Sequence, residues 1–110
     1  MMQIYILGVV VLAAISISNP ASADAIDGDW CHAASGKHLR IDGSAITTPG
    51  GNTITGDYDR HGFRYIIPVS EQPAGKAVTM SVIDDDNMQL AGGFAGSSVQ
   101  VWQRCAQPTS

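Results

Sequence analysis

Two cysteines, Cys31 and Cys105, constrain most strongly what this chain folds into. With only two there is a single intramolecular pairing, and it closes a loop of about 75 residues, worth roughly 4 kcal/mol on the chain-entropy model. Such a bond ties the last strand-like run, 98–105, to the first, 26–32. In an exported chain of this size the pair reads as a disulfide, because the compartment is oxidising and a small core gains from a cross-link. A reactive or metal-bound thiol needs a basic neighbourhood or clustered ligands; His32 beside Cys31 is the sole hint of one.

The N-terminus supplies the export signal. Residues 4–17 are an almost uninterrupted apolar run, followed by Ala21-Ser22-Ala23, the small-x-small pattern read by signal peptidase. The run is about 14 residues, short of the roughly 20 that span a bilayer. We therefore read 1–23 as a signal peptide cleaved after Ala23, and 24–110 as a single domain with no membrane anchor left after cleavage. The residue directly after the cleavage site is Asp24, not a cysteine that could accept a lipid.

From there the chain is a series of short runs between turn residues, without the 3.6-residue apolar spacing of an amphipathic helix. Residues 38–41 and 44–48 flank Asp42-Gly43, a favoured type I′ hairpin pair, with Leu39, Ile41 and Ile46 facing inward. Pro49-Gly50-Gly51-Asn52 is a second turn. Runs 53–59, 63–69, 77–83, 88–91 and 98–105 follow; Phe63, Tyr65 and Ile67 share one face, as do Val78, Met80 and Val82. Pro68 marks an edge or an ending strand. Eight runs at this spacing predict an all-β domain, a small antiparallel barrel or a sandwich closed by one disulfide. Closure removes the two unpaired edges that a flat sheet would expose.

Candidate chemistry is sparse. Formal net charge is −4 and 15% of residues are charged, which argues against nucleic acid or an anionic membrane as partner. His32, His38 and His61 fit no compact zinc motif, and no metal or other cofactor is implied. The run Asp84-Asp85-Asp86-Asn87 lacks the glycine and the distant glutamate of a calcium loop and reads as a solvated turn. There is no Gly-x-Ser-x-Gly elbow, and Glu71 is the only glutamate, so an enzyme is not expected. Two loops set charge beside glycine, Ser35-Gly36-Lys37-His38 and Asp59-Arg60-His61-Gly62. A rigid, stapled barrel presents such loops at little ordering cost on binding.

With Gly28-Asp29-Trp30-Cys31 early and Val101-Trp102-Gln103-Arg104-Cys105 late, the chain resembles the small Gram-negative periplasmic inhibitors of lysozyme and related peptidoglycan hydrolases. Inhibitors of c-type lysozymes carry a Ser-Gly-x-x-Tyr segment whose serine enters the enzyme cleft; here Ser35-Gly36-Lys37-His38 is followed by Leu39, and their Thr-Lys-Gly segment has no counterpart. The resemblance implies a periplasmic inhibitor with Ser35 as a cleft contact. Loop chemistry adds Lys37, His38, Arg60 and His61. A muramidase cleft is lined by two carboxyl groups, so a small donor or cation on a rigid loop pairs with the ionised one and blocks substrate. The alternatives are a miniature lipocalin-like carrier, favoured if Leu39, Ile54, Tyr65, Met80 and Leu90 leave a cavity, and a structural envelope protein.

Overall fold

In the computed structural model, which describes residues 25–106, the domain is nearly all antiparallel β. Nine strands form one sheet: β1 (Gly28–His32), β2 (Lys37–Asp42), β3 (Ala45–Thr47), β4 (Thr53–Thr55), β5 (Asp57–Asp59), β6 (Gly62–Ile66), β7 (Ala77–Asp84), β8 (Asn87–Gly92) and β9 (Val99–Arg104). A short 3-10 turn, Gly93–Ala95, lies between β8 and β9. The order in the sheet is β4-β3-β2-β1-β9-β8-β7-β6-β5, so its two ends, β4 and β5, are successive pieces of chain separated only by Gly56. The sheet curls into a nearly closed barrel rather than a sandwich.

Run 53–59 is thus one strand of the expected eight, broken at Gly56. Its first half pairs with β3 and its second with β6. Gly56 makes the bend because a Cβ there would lie 2.6 Å from the Arg64 carbonyl oxygen and 2.5 Å from the Phe63 ring. Its amide donates to the Ser44 carbonyl at 2.9 Å, which carries the β3 ladder to the corner.

The disulfide is formed, with the Cα atoms of Cys31 and Cys105 5.0 Å apart. Beside it β1 pairs with β9, Trp30 opposite Arg104 and Cys31 opposite Gln103. The hairpin of β2 and β3 differs from expectation by one residue: Asp42 pairs with Ala45, so the loop residues are Gly43-Ser44, and Gly43 takes the positive φ of 59°. The run expected from Ile26 begins as a strand only at Gly28. Pro68 falls just beyond β6, where a missing amide costs no ladder bond.

Period-two alternation sends Trp30, Leu39, Ile41, Ile46, Phe63, Tyr65, Val78, Met80, Met88, Leu90 and Trp102 into a single core that Ile26 and Ile67 complete. Ile54, Val82 and Phe94 pack against it from the margins. Both tryptophans keep their indole N–H satisfied: Trp30 donates to the Ile26 carbonyl at 2.7 Å and Trp102 to the Gln100 side chain at 2.9 Å.

Candidate functional site

Because every strand pairing is antiparallel, the connections alternate between two rims. The upper rim carries 33–36, 48–52, 67–76 and 93–98; the lower rim carries 43–44, 60–61 and 85–86. The Ser35-to-His38 loop and the Arg60-His61 turn therefore stand at opposite ends of the barrel. The structure does not bring the five expected contact residues together.

The lower rim is occupied by the protein's own chain. Residues 25–27 lie across it, with Ala25 and Ile26 buried and the Ile26 amide donating to the Arg60 carbonyl at 2.8 Å. Asp27 receives the Gly43 amide at 2.8 Å and the Tyr58 hydroxyl, and that hydrogen bond holds the Tyr58 phenol protonated beyond its ordinary range. Arg104 locks the segment. Its guanidinium carbon lies 4.1 Å from the Trp30 ring centroid, and it donates to the carbonyls of Asp27, Ala25 and Asp85. At the neighbouring turn Asp84 accepts from the amides of Asp86 and Asn87, and these bonds lower its pKa. An open groove of about 500 Å³ on the outer wall, lined by Asp57, Asp59, His61, Arg64, Thr79 and Ser81 among others, is a shallow solvent-facing surface.

The upper rim divides into two halves. On one, Glu71 from the 67–76 connection gathers the 48–52 loop: its carboxylate accepts from the Thr48 hydroxyl, from Asn52 Nδ2 at 2.6 Å and from the Gly50 amide at 3.2 Å. This clasp lies above the stretch where β4 and the upper part of β6 share no ladder. Below it the Tyr65 hydroxyl is buried without a hydrogen-bond partner, and burial foremost, then the Glu71 charge, pushes its pKa well up.

On the other half stand the sequence candidates. The amides of Ser35 and Gly36 both donate to the His32 carbonyl, at 3.2 and 2.8 Å, which makes the 33–36 turn tight. Ser35 Oγ lies 2.7 Å from His32 Nδ1 and accepts from the Lys37 amide at 3.3 Å. Lys37 Nζ rests 5.5 Å from the Phe94 ring centroid, a cation–π distance. The His32 ring stacks on Trp102 at 5.3 Å, and Phe94 meets the same indole at 6.2 Å. His38 is not part of this cluster. It lies on the outer wall of β2, where its Nε2 is 3.2 Å from Asp29 Oδ1 and Arg40 Nη1 is 2.7 Å from Asp29 Oδ2. His61 is at the far rim, so the three histidines are spread over three surfaces; among the described residues no group of three His, Cys, Asp or Glu side chains gathers to hold a metal ion.

Sequence reasoning missed His32 and Phe94 as members of the rim cluster. Phe94 had one signal, a lone aromatic between Gly92-Gly93 and Gly96, where an apolar ring in a glycine-rich connection needs a surface to cover. His32 had its place directly before the 33–36 turn, but its stacking on Trp102 comes from a strand far along the chain. Compared with family models, curated proteins and solved structures, the chain has no match.

Proposed function

We propose that this protein is an exported, periplasmic inhibitor of lysozyme-type peptidoglycan hydrolases that sets its upper rim into the enzyme's cleft. The observation that carries this reading is the constrained Ser35-to-Lys37 segment: a hydroxyl fixed between His32 and the Lys37 amide, and an ammonium resting over Phe94 on the same rim. Held in this way, a small donor and a cation meet an ionised carboxylate with little ordering cost. The net charge of −4 favours encounter with a basic enzyme surface. The likeness to periplasmic inhibitors supplies the partner class, and Ser35 is the residue it assigns to the cleft.

Export rests on the apolar run and on Ala21-Ser22-Ala23, with cleavage after Ala23; these positions lie outside the described residues. A bonded cysteine pair suits an oxidising compartment. Arg60 and His61 leave the proposed site, since the upper rim that carries Ser35 is at the other end of the barrel. The protein acts by occupying a cleft and not by turnover. The carrier alternative requires a cavity among Leu39, Ile54, Tyr65, Met80 and Leu90, whereas Leu39, Tyr65, Met80 and Leu90 belong to one buried core with Ile54 packed against it. Turbidity of a peptidoglycan suspension, followed during lysis by a c-type muramidase with excess mature protein, tests the proposal: lysis slows. Lysis at the uninhibited rate refutes it.

A further inference from the structure

The bonding of Ser35 points to a proton-linked carboxylate site at the upper rim. Ser35 Oγ has one proton and three neighbours: the Lys37 amide, which donates to it, His32 Nδ1 at 2.7 Å, and the His32 carbonyl at 3.5 Å. When Nδ1 carries no proton, the serine hydroxyl donates to it and is directed back into the barrel wall. When the imidazole is protonated, Nδ1–H becomes the donor and the serine proton is released, its remaining internal acceptor being the distant carbonyl. We infer that His32 is a positioning residue whose protonation turns the Ser35 hydroxyl outward and adds positive charge beside Lys37, so that the rim takes a carboxylate together with a proton.

Three groups face His32. Ser35 comes from the turn, Lys37 is its cross-strand partner on β2, and Trp102 of β9 stacks on its ring. The neighbouring titratable groups on β1 and β2, Asp29 and His38, are engaged with each other on the outer wall. Histidine is the side chain that ordinarily changes charge between pH 5 and 8. Binding of an ionised carboxylate therefore tightens as the His32 imidazole takes up its proton, until the carboxylate itself is neutralised. The inference rests on the inhibitor reading for its partner and stands apart from it in its chemistry.

Two measurements separate them. The imidazole nitrogen spectrum of labelled full-length mature protein at pH 8 should show an unprotonated His32 Nδ1 in wild type, and a shifted tautomer balance in Ser35→Ala. A proton on Nδ1 at pH 8, or no effect of Ser35→Ala, overturns the inference whatever the partner does. Affinity for a c-type muramidase should rise roughly three- to tenfold from pH 7.5 to 5.5, the size of one hydrogen bond. His32→Phe keeps a ring on Trp102 and removes the nitrogen, so its affinity should lack that increment, and Ser35→Ala, which loses the hydroxyl but keeps the imidazolium charge, should show a smaller one. Equal pH dependence in wild type and both variants also overturns the inference while leaving the inhibitor reading intact. Absence of binding at either pH removes the inhibitor reading, and the imidazole spectrum then decides the inference alone.

Discussion

Thr48 donates its hydroxyl to the carboxylate of Glu71, across the one stretch of the barrel wall that no strand ladder closes. Thr48 is buried, at 2% exposure, so its hydroxyl depends on that acceptor. The same carboxylate holds Asn52 and Gly50, which makes one side chain the clasp of the upper seam. Asp27 has the matching role below, joining Gly43 to Tyr58.

Glu71→Ala should therefore destabilise the domain by about 2 kcal/mol, the usual cost of leaving a buried donor without its charged partner. Hydrogen exchange should quicken first at the amides of 48–52. Unchanged exchange in that loop would show that the seam is held by other means.

Gly56→Ala should cost about 1 to 3 kcal/mol, since its methyl would overlap the Phe63 ring and the Arg64 carbonyl. Gly36→Ala is the control: φ is positive there at 74° but the space is open, so only the milder strain of about 1 kcal/mol applies. Urea midpoints of the two variants compare them directly. A smaller loss at Gly56 than at Gly36 would contradict the corner assigned to it.

Tyr65→Phe should leave stability unchanged or raise it by roughly 0.5 to 1 kcal/mol, because it removes a buried hydroxyl that has no partner. It should also change the alkaline limb. The Tyr65 pKa is raised in the folded state by burial, so the unfolded chain releases that proton first. This contribution to stability is whole below the unfolded tyrosine value of about 10 and declines as pH rises above it. Wild type should thus lose more stability than Tyr65→Phe between neutral and strongly alkaline pH, as read from urea midpoints. Parallel curves would contradict that.

Replacing both cysteines by alanine should cost about 2 to 5 kcal/mol. The bond joins β1 to the residue following β9, which are already paired, so the loss falls chiefly on the unfolded state's freedom. Denaturant unfolding of the double variant checks the size, and thiol titration of the unreduced, denatured wild type should find no free thiol.

Much of this fold was legible because alternation is a local signal. Leu39, Ile41 and Ile46 were expected inward, Phe63, Tyr65 and Ile67 on one face, and Val78, Met80 and Val82 on one face; all are buried except Val82, which is half-buried at the margin of the core. The split at Gly56 was not legible: the glycine is visible in the sequence, but the ring that makes it obligatory comes from Phe63 on another strand. Asp42-Gly43 carries a turn signal, yet the turn centres one residue later, because pairing of β2 with β3 and not dipeptide preference fixes the register. The candidate site was half legible. Ser35 and Lys37 stayed together, His38 from the same run points to the outer wall against Asp29, and Arg60 and His61 were grouped with them by chemistry alone. Which rim a loop joins depends on counting strands, and a single residue's type says nothing of it.

If the upper rim enters the muramidase cleft, the rate of lysis with two paired variants will show it. Ser35→Ala combined with Lys37→Ala removes the donor and the cation from the upper rim; Arg60→Ala combined with His61→Ala changes only side chains of the lower. The first pair should weaken inhibition about tenfold or more, equivalent to at least ~1.4 kcal/mol of binding, while the second inhibits like wild type. Loss of inhibition confined to the Arg60 and His61 pair, or equal inhibition by both pairs and wild type, would contradict it.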